Sequence, residues 1–213
     1  MKNDDSKFGH KTKDDYSSIA DQFSSTRHYV WPEMKEFAEY IKEDQNILDL
    51  GCGNGRLLDS LKSKRIEYLG IDQSEKLIKL AGQKHPQNKF EAMKMEDLGL
   101  GDAEFDAAFM IASLHHLDSD GRQKALCEAN RILKENGILF ITVWNLWQPK
   151  YQRYIKKNEA LIPWKNSAGS VLAERYYHAY TKDELENDLK SAGFKIIKLA
   201  KSKWNIYAIC KKC

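Results

Sequence analysis

The chain of 213 residues is long enough for one domain with a complete hydrophobic core, and its length requires no second domain. A hydrophobic share of 42% suits a globular core, and 31% charged residues predict a well-solvated surface. No apolar run approaches the roughly 18 residues that cross a bilayer and no apolar signal segment opens the chain, so we expect a cytoplasmic protein. The net charge of +3 permits a nucleic-acid partner without requiring one.

Four cysteines, at positions 52, 127, 210 and 213, are scattered through the sequence. Cys210 and Cys213 form one C-x-x-C pair, but a structural zinc site normally takes four ligands and the sequence holds no second pair. We therefore predict reduced thiols and no metal site, with Cys210 inside a strand.

The N-terminal region has two parts with different patterns. Residues 1–13 are polar and charged without apolar periodicity, which predicts a disordered lead. Residues 14–44 have helical spacing, and Pro32 suits the first turn of a helix, so we predict an N-terminal helical cap on a single domain over 14–213. The positions that carry this spacing are Tyr16, Ile19, Ala20, Phe23, Met34, Phe37, Ala38 and Ile41.

A glycine-dense stretch follows the first predicted strand. Residues Ile47–Gly55 join an apolar run to the spacing D-x-G-x-G-x-G, which begins at Asp49. Glycine permits positive φ and a close approach of backbone to a ligand, and the next helix would turn its N-terminal amides toward that ligand. The glycines lie closer together than in the dinucleotide motif G-x-G-x-x-G, and no Lys-Ser/Thr follows as a P-loop requires. The stretch indicates a ligand-binding loop, with a tight turn that binds nothing as the alternative.

A second predicted strand, Ile66–Asp72, ends in an acidic residue 17 positions after Gly55. A carboxylate there can accept both hydroxyls of a ribose. Together with Asp49, this arrangement resembles motifs I and II of class I S-adenosylmethionine-dependent methyltransferases. The resemblance implies an α/β, Rossmann-like fold, with a seven-stranded, mostly parallel sheet that has one antiparallel strand and helices on both faces.

The later elements fit such a fold. The apolar run 105–111 predicts a central buried strand, and Thr181 can cap a helix that Gly193 ends. Further strands are predicted over 88–93, 138–143, 194–199 and 204–210, and helices over 75–84, 120–133 and 182–192.

The residues Met95–Leu98 lie at the carboxyl end of the third predicted strand, where ligands bind in open α/β sheets. They match the region that contacts adenine in the resembled family, with an exposed acidic loop as the alternative. The resemblance implies S-adenosylmethionine as the cofactor. The residues expected to hold it are Tyr16, Asp49, Gly51, Gly53, Gly55, Asp72, Gln73, Glu96, Asp97, Leu98 and Ala112.

Two histidines follow the fourth strand directly. His115 and His116 are thereby placed at its carboxyl end, beside the expected sulfonium. A histidine pair in a loop is more often a solvated turn, but this location makes His116 the better candidate for substrate contact. We predict that His116 and Arg27 orient the substrate.

Between residues 145 and 180 the periodicity breaks, and aromatic and cationic residues accumulate. Rings interleaved with Arg and Lys suit unpaired bases and a phosphate backbone, although a hydrophobic lid over the cofactor is the alternative. The segments 161–164 and 175–180 resemble the V-P-W and R-Y-Y-H motifs of methyltransferases that act on the carboxymethyl group of the tRNA wobble uridine, and 16–31 resembles their N-terminal signature. The substrate contacts that this resemblance implies are Trp31, Trp144, Trp164, Arg175, Tyr176 and His178.

The sequence thus predicts an S-adenosylmethionine-dependent methyltransferase that esterifies the carboxymethyl group of a modified wobble uridine. The alternatives are a methyltransferase for small carboxylic acids and a catalytically silent protein that binds S-adenosylmethionine or RNA. The expected partner is the tRNA anticodon loop, with no membrane. By resemblance to fungal and animal members of the family, a small zinc-binding activator subunit is a second candidate partner.

Overall fold

The computed structural model describes residues 19–20, 31–166 and 168–213. Its strands are β1 (Gln45–Leu50), β2 (Ile66–Asp72), β3 (Lys89–Ala92), β4 (Phe105–Ile111), β5 (Leu133–Trp144), β6 (Ile155–Lys156), β7 (Glu159–Lys165), β8 (Val171–His178), β9 (Phe194–Lys201) and β10 (Asn205–Lys212). Its helices are α1 (Pro32–Tyr40), α2 (Leu58–Leu61), α3 (Glu75–Lys84), α4 (Ser119–Ile132), α5 (Pro149–Gln152) and α6 (Lys182–Ser191), and a 3₁₀ turn covers Leu114–His116.

The main sheet has seven strands in the order β3-β2-β1-β4-β5-β10-β9. The pairs from β3 to β5 are parallel, whereas β10 is antiparallel to both β5 and β9. The predicted α/β fold with one reversed strand is therefore confirmed. The chain builds β1, β2 and β3 toward one edge and then returns to place β4 beside β1. This reversal opens a crevice at the carboxyl ends of β1 and β4.

Helices cover both faces of the sheet because the buried strands are apolar on both sides. On one face Met110 packs with Leu126 of α4 and Leu185 of α6. On the other face Phe109 stacks on Phe140, with 4.7 Å between their ring centroids, and both rings contact Phe37 of α1. Consecutive residues of β4 thus point into two separate cores, which fixes its register.

The N-terminal cap is partly visible. Ile19 and Ala20 are helical and buried, and α1 begins at Pro32 as the sequence predicts. Polar contacts bind α1 to the last two strands of the sheet: Lys198 pairs with Glu36 at 2.6 Å, and the buried Asn205 amide donates to the buried Glu33 carboxylate. Tyr16, Arg27 and the proposed disordered lead lie outside the described residues.

Three local predictions need correction. The third strand is shorter than predicted and covers only Lys89–Ala92. The helix after the glycine loop is the four-residue α2, because residues 55–60 form tight turns with hydrogen bonds three residues apart. The segment without periodicity holds a three-stranded antiparallel sheet, β6-β7-β8. Both faces of β8 are covered after Glu174, so the strand shows no alternation in its sequence.

Cys210 lies buried in β10, as predicted. Within the ranges that the structure describes, no helix is long and apolar enough to cross a membrane.

The buried contact between Glu33 and Asn205 gives a test of how α1 is held. Glu33→Ala leaves the buried Asn205 amide without this acceptor, a loss of about 1–3 kcal/mol in the free energy of unfolding. Urea denaturation measures this difference. Glu39 is exposed on the same helix, and Glu39→Ala should change the free energy by less than about 0.5 kcal/mol. Equal effects of the two substitutions would contradict the anchoring role of Glu33.

Candidate cofactor and substrate cleft

A cleft of about 950 Å³, including the space at its mouth, lies at the carboxyl ends of β1, β2 and β4. Its walls come from the glycine loop, from the segments that follow β2, β3 and β4, and from Trp31 and Trp144. The predicted site residues that line it are Trp31, Gly51, Gly53, Asp72, Gln73, Glu96, Ala112, His116 and Trp144. These nine positions come from the carboxyl ends of the five strands β1 to β5 and from the cap, so the fold brings together most of the predicted cofactor site.

The glycine loop needs glycine for two different reasons. Gly51 has φ +78°, and a Cβ there would lie 2.5 Å from the Cβ of Ser113, so no larger residue fits where the loop passes the end of β4. Gly53 also has positive φ and faces the cleft. Gly55 faces away from it, and a Cβ at this position would approach His85 and Phe90. The prediction that Gly55 touches the cofactor is therefore corrected to a packing role behind the loop.

Asp72 ties the loop to the end of β2. One carboxylate oxygen accepts the Gly53 amide at 3.0 Å, and the other accepts the Ser74 amide at 2.9 Å. Burial raises the pKa of this carboxyl, while the two amide bonds oppose that rise. Each carboxylate oxygen has two lone pairs, so both can still accept a ribose hydroxyl. Asp72 thus combines a structural bond with the expected ligand contact.

Asp49 lies beneath the loop and does not line the cleft. It is 2% exposed, and its Oδ2 accepts the Tyr68 hydroxyl at 2.8 Å. Burial raises the pKa of Asp49 to about 7, although the Tyr68 bond lowers it. Oδ1 finds no hydrogen-bond partner among the residues that the structure describes. The structure therefore places Asp49 as a support for the loop and corrects the prediction of direct cofactor contact.

The segment after β3 turns sharply, so that some of its residues face the cleft and others do not. The Asp97 amide donates to the Lys94 carbonyl at 3.3 Å, so Met93 to Glu96 face the cleft while Asp97 points to solvent. Leu98 then enters the core, and its amide donates to Glu128 at 2.9 Å. Of the three predicted contacts, only Glu96 reaches the cleft. The prediction was wrong for Asp97 and Leu98 because the sequence did not reveal the turn.

The two histidines have separate environments. Ala112 takes φ +56° and its amide donates to Thr142, which turns the chain into the 3₁₀ segment. His116 lies in the cleft wall, and its Nδ1 is 2.8 Å from the Tyr176 carbonyl oxygen. A carbonyl only accepts, so Nδ1 carries a proton and the ring is fixed in orientation. His116 is therefore held against the cleft by the backbone of β8.

His115 is buried behind His116. Its Nδ1 accepts the Trp144 amide at 3.3 Å, and its ring stacks on Tyr177 with 5.2 Å between centroids. Burial, and then the nearby charges of His116 and Arg175, hold the pKa of His115 well below its usual range. The ring is neutral at physiological pH and supports Trp144 from behind.

Three of the predicted RNA contacts are buried in the insertion. Arg175 is 3% exposed, and its guanidinium lies 4.8 Å from the Trp164 ring centroid, 5.2 Å from that of Tyr177 and 5.8 Å from that of Trp144. His178 is 4% exposed, with Nδ1 3.1 Å from Glu159 and Nε2 2.6 Å from Glu184.

The side chain of Tyr176 is buried as well. Direct RNA contact by Arg175, Tyr176 and His178 is thus corrected to support of the cleft wall. Trp164, which contacts Arg175, does not line the cleft either.

The sequence reasoning missed several residues of the cleft. Arg56 lies with its guanidinium 4.6 Å from the Trp31 ring centroid, and both side chains border the opening. Asn54 and Ser113 also line it, and the Ser113 hydroxyl donates to the Leu50 carbonyl at 2.7 Å. Their positions directly after β1 and β4 were the available signal, since the carboxyl ends of both strands were expected to bind ligand.

These residues fit S-adenosylmethionine. Asp72 is a half-buried acceptor of the kind that a ribose requires, while Met93 and Met95 offer apolar surface with the Glu96 carboxylate beside it. The Gly51–Gly53 backbone lies open to the cleft, where side chains would block a ligand.

The two acidic residues beside the cleft provide a matched comparison. Asp72→Ala removes the acceptor expected to hold both ribose hydroxyls, each lost bond costing about 1–3 kcal/mol, and it also frees the Gly53 amide. We expect calorimetry to detect no binding of S-adenosylmethionine. Asp97→Ala should leave the affinity unchanged, because Asp97 lies outside the cleft. Unchanged affinity in Asp72→Ala would refute the role assigned to Asp72.

Comparison with known proteins supports the same assignment. The family described as a methyltransferase domain matches residues 48–141, which include the glycine loop, Asp72 and β4. The chain is 26% identical to the tRNA (carboxymethyluridine(34)-5-O)-methyltransferase of Schizosaccharomyces pombe, over 92% of this chain and 94% of the relative. It is 34% identical to the Arabidopsis thaliana protein of the same name, over 67% of this chain and 37% of that relative. The chain therefore spans nearly the whole yeast relative but little more than a third of the plant one.

Solved structures show the same fold. A Methanosarcina mazei S-adenosylmethionine-dependent methyltransferase superposes with a TM-score of 0.75 at 22% identity, covering 86% of this chain and 98% of the other. A Haloferax volcanii methyltransferase, solved in complex with the Trm112 methyltransferase activator, gives a TM-score of 0.68 at 17% identity, with 94% of each chain covered.

The matched domain, the named relatives and the lining of the cleft agree on one assignment. The predicted family and its cofactor, S-adenosylmethionine, are confirmed. The chain belongs to the class I S-adenosylmethionine-dependent methyltransferases.

Proposed function

We propose that this methyltransferase esterifies the carboxylate of a carboxymethyl group on the wobble uridine of tRNA. The observation that carries the proposal is the similarity to a relative named for this reaction over 92% of the chain, a share too large to leave out the insertion as a whole. In this chain the insertion supports the cleft, since its strand β8 holds His116 through the Tyr176 carbonyl and contacts Trp144 through Tyr177.

The cleft offers the substrate an aromatic and partly charged entrance. Trp31, before α1, and Trp144, at the end of β5, both line it, and Arg56 lies over the Trp31 ring. An unpaired uracil can stack on such rings, which is how most proteins hold bases taken out of a helix. We expect Trp31, Trp144 and His116 to contact the uridine. The predicted contributions of Arg27 to the substrate and of Tyr16 to the cofactor remain part of this proposal.

The chemistry requires alignment more than proton transfer. When bound, S-adenosylmethionine supplies an electrophilic methyl group on a sulfonium. A carboxylic acid has a pKa of roughly 4, so at neutral pH the accepting oxygen is already an anion and no residue has to remove a proton. His116, fixed by the Tyr176 carbonyl, and Trp144, supported by His115, orient the substrate. Such positioning contributes about 7–11 kcal/mol when the reacting atoms are well placed.

One observation favours a second candidate, a methyltransferase for small carboxylic acids. Arg175 and His178 face inward, so the insertion resembles a lid in this respect more than a basic RNA-binding surface. Transfer to a small acid without transfer to bulk tRNA would support this candidate.

A small activator subunit is a further part of the proposal. The structural likeness to a methyltransferase solved with the Trm112 activator supports it, and comparing activity with and without such a subunit tests it. The cytoplasmic location expected from the sequence stays a prediction.

The function is tested most directly on tRNA from the source organism. We expect mass spectrometry of digested tRNA to show the methyl ester of carboxymethyluridine in wild-type cells and the free acid in a strain that lacks the gene. A plasmid copy should restore the ester, whereas the Asp72→Ala variant should not. Identical nucleosides in the two strains would contradict the proposed substrate.

The pH dependence tests the absence of a general base. With saturating cofactor, we expect single-turnover rates to stay nearly constant between about pH 6.5 and 9, because a carboxylate acceptor is ionised throughout. His116→Asn should retain measurable activity and His116→Ala should lose more, since asparagine preserves a polar orienting group. Asp49→Asn serves as a control, because the pKa of Asp49 is raised to about 7 by burial and its ionisation falls within this range. A tenfold rise per pH unit that persists in Asp49→Asn and vanishes in both His116 variants would identify a base and contradict a carboxylate acceptor.

A further inference from the structure

Outside the cleft, an exposed tryptophan lies where the proposed mechanism assigns no role. Trp204 is 44% exposed in the turn between β9 and β10. β10 is antiparallel to β5, and Asn205 pairs with Trp144, so this turn lies at the carboxyl end of β5. The turn and the cleft therefore share one edge of the sheet.

The turn is held rigidly against the segment that follows Trp144. The Asn145 amide donates to the Trp204 carbonyl at 2.8 Å, and the Asn145 side chain donates to the Ser202 and Lys203 carbonyls at 3.4 Å. The Ser202 hydroxyl accepts the Asn205 amide at 3.0 Å. These bonds fix the backbone at Trp204 relative to the cleft wall, so the turn that carries the ring need not be ordered when a ligand binds.

Aromatic rings and lysines connect the cleft to this turn. Trp144 lies with its ring centroid 6.3 Å from that of Tyr151, and the Lys150 ammonium is 4.5 Å from the Tyr151 centroid and 5.1 Å from that of Trp204. The Lys203 ammonium is 4.6 Å from the Trp204 centroid. We call Trp144, Tyr151 and Trp204 the aromatic track. It begins in the cleft, ends on an exposed ring, and carries two cations.

We propose that the aromatic track binds the unpaired nucleotides next to the target nucleoside, with a base stacked on Trp204 and the phosphate backbone paired with Lys150 and Lys203. Stacking rings alternating with cations are what a single-stranded nucleic acid requires, because every base has a π-face and every linkage carries one negative charge. Arg175 is buried and cannot reach a phosphate, whereas Lys150 and Lys203 are exposed beside the rings of the aromatic track. This inference rests on the proposed function and adds the surface along which the RNA leaves the cleft.

A second cavity gives a competing route. It is an open depression of about 1050 Å³ beside the insertion, including the space at its mouth, and Arg153, Tyr154 and Lys156 line it. Tyr154 thus offers an alternative ring for a flanking base. Binding there instead of at Trp204 would overturn the proposal.

The experiment measures binding of a fluorescent anticodon stem-loop by anisotropy, with S-adenosylhomocysteine present. Trp204→Ala should weaken binding about tenfold, and Trp204→Phe should keep most of the affinity because a ring remains. Lys203→Ala should reduce the slope of log affinity against log salt by about 0.7. Ile197→Ala, at an exposed position of β9, and Lys89→Ala, on the far edge strand, are the matched controls for Trp204 and Lys203, and both should behave as wild type.

The outcomes separate this inference from the proposed function. Cofactor affinity measured by calorimetry should be unchanged in every variant, which excludes misfolding as the cause. If wild type binds and methylates the RNA while Trp204→Ala equals Ile197→Ala, or if only Tyr154→Ala weakens binding, the aromatic track is refuted and the proposed function stands. If wild type neither binds nor methylates any tRNA, the proposed function fails and the inference fails with it.

Discussion

The cleft depends on the contact between two neighbouring parallel strands at the point where each strand ends. Asp72, at the end of β2, accepts the amide of Gly53 in the loop after β1, and this bond places the loop backbone and the carboxylate on the same side of one opening. Gly51 permits the geometry because the loop passes so near Ser113 that a Cβ would overlap it. The cleft therefore offers the Asp72 carboxylate and the unobstructed backbone of the glycine loop side by side. This combination suits a ligand that consists of a nucleoside with an attached amino acid.

In the insertion, charged and aromatic side chains contact one another and support the cleft wall. The buried Arg175 guanidinium lies close to three aromatic rings. The ring faces stabilise its positive charge in place of water, because cation–π attraction is stronger where water is excluded. Through Tyr177 this cluster contacts His115 and Trp144, and through the Tyr176 carbonyl the same strand fixes His116. The basic and aromatic character of β8 therefore serves the shape of the cleft wall, and the cations exposed near the cleft come from other segments.

This division has a consequence for substrate choice. Behind Trp144, the wall is held by the uncharged ring of His115, whose pKa lies well below its usual range, and by the buried Arg175 guanidinium 5.8 Å from the Trp144 ring centroid. Both groups are engaged within the protein, so the wall offers a planar base a preformed aromatic surface. The more accessible cations, on Arg56, Lys150 and Lys203, lie over the rings of Trp31 and Trp204. Positioning by rings and attraction by exposed cations are thus carried by different residues, which allows each contribution to be changed by substitution separately.

The sequence by itself determined the fold class, the main strands of the seven-stranded sheet and the glycine loop at which the cofactor is expected. The apolar run 105–111 is typical of a buried strand. The closely spaced glycines of D-x-G-x-G-x-G indicate a tight turn with positive φ, which most other residues disfavour. Asp72, Glu96 and His116 were found because carboxyl ends of parallel strands meet at one edge. These inferences are local, so no knowledge of distant packing was needed.

Only the tertiary structure decided which way the remaining side chains face. Asp49 and Gly55 belong to the motif but lie behind the loop, and Asp97 points outward because the Lys94 carbonyl closes a turn before it. Arg175 and His178 are residue types that pair with aromatic rings and with negative charges. The sequence does not show whether those rings and charges belong to an RNA or to the protein itself. Both kinds of partner satisfy the same electrostatics. The choice is made by the pairing of β8 with β7 and by the packing of α6, which place Trp164, Glu159 and Glu184 against these side chains.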